Sequence, residues 1–115
     1  MQIFAHALTI LAVAGSASGD LPVLNLEQQA AMRCGTAFAI VTALQERGGA
    51  NEISPLGDRG SEFFVRSMAK LMDETGATRE QVQELVQREA RELENPDKLE
   101  AVMPACLAML DASGL

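Results

Sequence analysis

Two cysteines, Cys34 and Cys106, constrain this chain more than any other feature, because each falls on the apolar stripe of a separate helical segment. They are the only cysteines present, so pairing leaves no free thiol, and a bond between them closes residues 35–105 into one covalent loop. In the chain-entropy model a crosslink over a loop of that length raises the free energy of the unfolded chain by about 4 kcal/mol, which rivals the net stability of a small domain. The alternative is a pair of buried, reduced thiols in a reducing compartment.

The beginning of the chain favours the bond. Residues 1–19 carry no charged side chain, run apolar from Ile3 to Ala14, and then turn small through Gly15, Ser16, Ala17, Ser18 and Gly19. That is the profile of a secretory signal cleaved after Ala17 or Gly19, and the apolar run is short for a membrane span. Only the amino terminus and His6 supply the positive charge such leaders usually begin with, so the alternative is an apolar helix belonging to the domain. No cysteine flanks the cleavage positions, which argues against a lipid anchor. The expectation is a signal peptide at 1–19, a single helical domain at 20–115, and a periplasmic or secreted product without a stable membrane anchor.

Periodicity over 20–115 is helical throughout. Leu26, Ala30, Cys34, Ala37, Phe38, Val41 and Leu44 recur at spacings of three and four, which predicts a helix from about Leu26 to Arg47. A second line of small residues, Ala31, Gly35, Ala39 and Ala43, lets a neighbour approach closely and places this helix centrally, unless it reflects general alanine richness alone. Gly48 to Gly57 reads as a long loop, and its Asn51, Ile53 and Leu56 are candidates for partner contact; the plainer reading is that Ile53 and Leu56 tuck over the end of the core.

A second helix follows from about Asp58 to Thr75, with Phe64, Met68, Leu71, Met72 and Thr75 expected inside and Gly76 as its stop. Thr78 and Gln81 form a capping-box pattern for a third, Arg79 to Glu94, striped by Val82, Leu85, Val86, Ala90 and Leu93. Asn95, Pro96 and Asp97 open a fourth, whose apolar positions Leu99, Val102, Met103, Cys106, Leu107 and Leu110 reach about Ala112. Pro104 removes the backbone donor to the Glu100 carbonyl, so a kink or split is expected there. The predicted fold is therefore all-α: a compact bundle of about four helices, the last one kinked or split, with one disulfide clamping its termini.

Charge and composition then restrict the chemistry. All 16 acidic and nine basic residues lie after position 19, for a net charge of −7, and no cluster of Lys and Arg exists to neutralise phosphates, so nucleic acid is not an expected partner. After His6 there is no histidine, and there is no Tyr or Trp. The commonest general acid/base, the histidine-dependent nucleophilic triads and the usual zinc and di-iron sites are thereby missing. No Cys-x-x-Cys, phosphate-binding glycine loop or calcium loop occurs, and no cofactor, metal or catalytic residue is expected. Carboxylate pairs at Glu89 and Glu92 or Asp73 and Glu74 are better read as solvated helix faces, and Asp58, Ser61 and Glu62 as first-turn residues. Met68, Met72, Met103 and Met109 read as core filler rather than a soft metal or partner surface.

The layout is similar to that of small periplasmic acid-stress chaperones, in which a disulfide joins distant helices of a short exported chain. The elements that carry the resemblance are the signal-like leader, Cys34 with Phe38 on the first helix, and Ala105 with Cys106 late in the chain. What the resemblance implies is a chaperone function; the wider interaction reading rests on export, a stapling disulfide and the lack of catalytic residues.

Three readings follow, in order. The first is a non-catalytic periplasmic interaction protein: an inhibitor, immunity-type factor, chaperone or accessory subunit. The second is a carrier of an apolar small molecule, with a pocket among Phe63, Phe64, Met68, Met72 and Met103. The third is a hydrolase working with carboxylates alone.

Overall fold

In a computed structural model, described here for residues 20–115, Asn25 begins the first helix through a reciprocal cap. Its side chain accepts from the Gln28 amide at 2.8 Å, while its own amide donates to Gln28 Oε1 at 3.0 Å. The helix, α1, spans Leu26–Glu46. It is followed by α2 (Gly57–Thr75), α3 (Arg79–Leu93) and α4 (Pro96–Ala112), and the described residues contain no strand. The proposed signal peptide lies outside them.

Local signals explain the boundaries. Gly76 ends α2 in the left-handed region (φ 74°), and its amide returns to the Met72 carbonyl. Thr78 and Gln81 make both bonds of the capping box that opens α3. The Asn95 side chain accepts from the Asp97 amide at 2.9 Å, with Pro96 in the first turn of α4. α4 is not split: it runs as one helix through Pro104. Both Pro104 and Glu100 are exposed, so water can solvate the carbonyl that the proline leaves without a helical donor.

α1 is the central helix. Cys34, Gly35, Thr36, Ala37 and Phe38 are buried in succession, which is possible only where neighbours cover more than one face. α2 runs antiparallel to it at close range. A Cβ added to Gly35 would lie 3.2 Å from Met68 Cε and 3.6 Å from the Phe64 Cα, and one added to Gly60 would lie 3.0 Å from Thr42 Oγ1. The small-residue line thus serves packing at Gly35, but Ala39 is exposed and takes no part.

Two expected stripes need correction. Leu26 is 82% exposed, and Leu44 is the other exposed member of its stripe. The two sit about five turns apart at the same angular position on the helix, which lies at the edge of the buried face. On α2 the buried residues are Gly60, Phe63, Met68 and Leu71, with Phe64 and Met72 half-buried, so Phe63 heads the inner face. Its ring meets Phe38 edge-to-face, with centroids 5.2 Å apart.

The buried residues form two clusters. The larger joins Cys34, Ala37, Phe38 and Val41 of α1 to Leu56, Phe63, Leu93, Met103, Cys106 and Leu110. The smaller joins Met32 to Met68, Leu71, Ala77 and Val82. Cys34 and Cys106 are bonded, with Cα atoms 5.1 Å apart. The bond lies within the larger cluster and ties the middle of α1 to the second half of α4, rather than clamping the ends of the bundle.

Candidate functional site

An open groove of about 510 Å³ lies among the described residues, with contributions from α1, α2 and the end of α4. Ala31 and Met32 line it from α1, Phe63, Ser67 and Leu71 from α2, and Met109, Ala112 and Leu115 from the last stretch of chain. The floor is therefore apolar. Its α1–α2 rim is charged: Lys70 lies between Glu27 (3.8 Å) and Glu74 (3.9 Å), and Gln28 donates to Glu74 across the two helices at 3.1 Å. Arg66, also at the rim, pairs with Glu62 one turn back.

The α4 wall is held at its far end by Arg59. Its Nε donates to the Leu115 carbonyl at 2.8 Å, and its Nη2 to the Asp111 carboxylate at 3.0 Å. Between that clamp and Pro104 stand Cys106 and Leu110, each about 1% exposed.

The residues singled out from sequence are distributed differently. Phe63 lines the groove, but Met103 lies in the larger cluster and Met68 in the smaller, with Phe64 and Met72 packed against the latter. The five are thus divided between the two clusters, and of them Phe63 alone lines the groove. In the long loop Asn51 is exposed, Ile53 is half-buried against the core, and Leu56 is 4% exposed within it. Leu56 is therefore a core residue, since its side chain is withdrawn from any partner. Gln45 fixes this arrangement: its amide donates to the carbonyls of Ile53 and Ser54 at 3.0 and 3.3 Å, and its Oε1 accepts from the Leu56 amide at 3.1 Å.

Glu89 and Glu92 each face a cation. Glu89 pairs with Arg33 at 3.6 Å, and Glu92 with Lys98 at 2.6 Å; both glutamates border a second, shallower hollow between α1 and α3. The Lys98 hydrogen bond, followed by its charge, holds the exposed Glu92 carboxyl below its ordinary range and so keeps it ionised. An ionised carboxylate is a poor proton donor. Among the described residues no group of His, Cys, Asp and Glu is arranged to hold a metal ion, and no helix is long and apolar enough to cross a membrane. The disulfide fits an oxidising compartment.

Sequence reasoning missed the groove because its lining residues come from three helices. Ala31 and Met109 were visible as members of the small-residue line and the methionine set, but nothing in their spacing brings them together. Comparison with protein-family models, curated proteins and solved structures finds no match to the chain.

Proposed function

We propose that this protein is a non-catalytic interaction protein of the periplasm or extracellular space, which receives an apolar segment of a partner protein in the groove between α1, α2 and the end of α4. The observation that carries the reading is the groove itself: an apolar floor of Met32, Phe63, Leu71 and Met109 beneath a polar rim. A partner helix with its apolar face inward would bury that floor, while the rim charges stay hydrated at the edge of the contact. The disulfide keeps the α4 side in place, which lowers the ordering cost of binding. An inhibitor, immunity-type factor, chaperone or accessory subunit would each use such a surface.

The test is capture from periplasmic extract by the wild-type chain and by Ala31→Arg, which fills the groove with a charged side chain. A defined partner retained by the wild type and weakened at least tenfold by the variant, at matched melting temperature, supports the reading. Equal retention by both, or no partner together with no suppression of client aggregation, removes it.

A carrier of an apolar small molecule is the second reading, favoured by a groove volume within the range of small-ligand sites. Native mass spectrometry separates the two: a lipid-sized adduct on the purified chain supports the carrier, and a bare polypeptide mass counts against it.

A further inference from the structure

We propose that residues 105–115 form a redox-latched wall of the groove, hinged at Pro104 and held shut by the Cys34–Cys106 bond. The inference rests on the groove reading given above for its functional meaning, but the device itself is built from three separate features of α4.

The hinge is Pro104. It supplies no backbone donor, so the helical ladder lacks one rung where the wall begins, and prolines are the commonest cause of sharp bending in helices. The latch is two residues further on. Cys106 is bonded to Cys34 on the central helix, and both sulfurs belong to a cluster that also holds Phe38, Phe63 and Leu110. The wall proper is Met109, Ala112, Ser113 and Leu115, all of which line the groove. It is anchored by the exposed Arg59 contacts, by the buried Leu110 and by the half-buried Leu107, Met109 and Leu115, which pack against the same cluster.

An external dithiol is the reductant. Its thiolate attacks one sulfur of the Cys34–Cys106 bond, which forms a mixed disulfide and expels the other cysteine as a thiolate; its second thiolate then attacks the reductant's own sulfur in that mixed disulfide and expels the remaining protein thiolate. Two electrons pass to the protein, two protons complete the thiols of Cys34 and Cys106, and the dithiol leaves as a disulfide. Two unbonded thiols need more room than a bonded pair, and the surrounding cluster is already packed. α4 is the element that can yield, because its ladder is interrupted at Pro104 while α1 is enclosed by the other helices. Since both cysteines are buried, reduction requires a local opening of the same segment, so attack is slow in the free protein and faster whenever the wall swings out.

The experiment is hydrogen–deuterium exchange on the full folded chain, oxidised and then reduced with dithiothreitol, with Pro104→Ala as the second protein. Expected on reduction is an excess loss of amide protection across 107–113, at least tenfold beyond that of 63–72 and 82–93. In Pro104→Ala the restored backbone bond cuts that loss to threefold or less. Equal protection of 107–113 in both redox states overturns the proposal. So does a uniform loss over all four helices, which makes the bond a global staple. Neither readout involves a partner, so failure of the Ala31→Arg capture experiment would sink the groove reading alone.

Discussion

The ring of Phe63 stands edge-on to that of Phe38, 5.2 Å between centroids at an interplanar angle of 85°, and the same Phe63 forms part of the groove floor. Phe38, fully buried, belongs to the core alone. The pair therefore offers a way to separate folding from binding.

Phe38→Leu and Phe63→Leu should each lower stability by about 1–2 kcal/mol, through lost aromatic contact and incomplete filling of the space. Only Phe63→Leu should also weaken partner capture at a temperature where both variants remain folded. Urea denaturation followed by helical circular dichroism gives the first quantity, and retention from extract the second. Equal capture by the two variants would mean that the groove floor plays no part in recognition.

Gln45 should matter more than an exposed-looking loop contact suggests. Its side chain satisfies two loop carbonyls and the Leu56 amide at once, so Gln45→Ala leaves three backbone groups to find water, two of them partly buried. The expected cost is about 1–2 kcal/mol. Faster amide exchange confined to 50–56 would locate the effect in the loop.

Two substitutions should stabilise the chain. Ala50 is held at φ 52°, a left-handed conformation that carries a steric penalty for a residue with a Cβ, so Ala50→Gly is expected to gain about 0.5–1 kcal/mol. Thr42 Oγ1 is buried without a hydrogen-bond partner beside Gly60, and Thr42→Val keeps the shape while removing the unsatisfied hydroxyl, for a gain of about 1 kcal/mol. Thermal unfolding should show a higher midpoint in both; a lower midpoint for Thr42→Val would mean that the hydroxyl has a partner in solution.

Glu92 sets a small pH dependence with a definite sign. Its folded-state pKa is depressed, first by the Lys98 hydrogen bond and then by the Lys98 charge, so the pair favours the fold above the ordinary glutamate range. That contribution is lost as pH falls through the depressed value. Being exposed, the pair is screened by salt. In Lys98→Ala the Glu92 carboxyl should titrate higher by NMR; an unchanged titration would show that the pair does not persist in solution.

Those predictions draw on features of unequal legibility. The capping pairs Thr78–Gln81 and Asn95–Asp97 and the stop at Gly76 are local in sequence, and each lies where the pattern placed it. The pairing of Cys34 with Cys106 was legible because only two cysteines exist and both fall on apolar stripes. Phe63 and Phe64 were harder: adjacent residues on a helix differ by about 100°, and either could have headed the inner face until the position of α1 was known. Leu56 illustrates the same limit for loops, where periodicity gives no direction to a side chain. The groove was beyond reach, since it depends on how far the end of α4 stands from α1 and α2.

The central claim is that a partner lies in this groove. The photoreactive residue p-benzoylphenylalanine, placed at the exposed groove residue Ala112 and separately at Gln83 on the outer side of α3, tests it in intact cells. A discrete crosslinked species from position 112, lost when Ala31→Arg is combined with it and not formed from position 83, is the predicted result. Crosslinking from 83 alone, or the same species from both positions, would contradict the account.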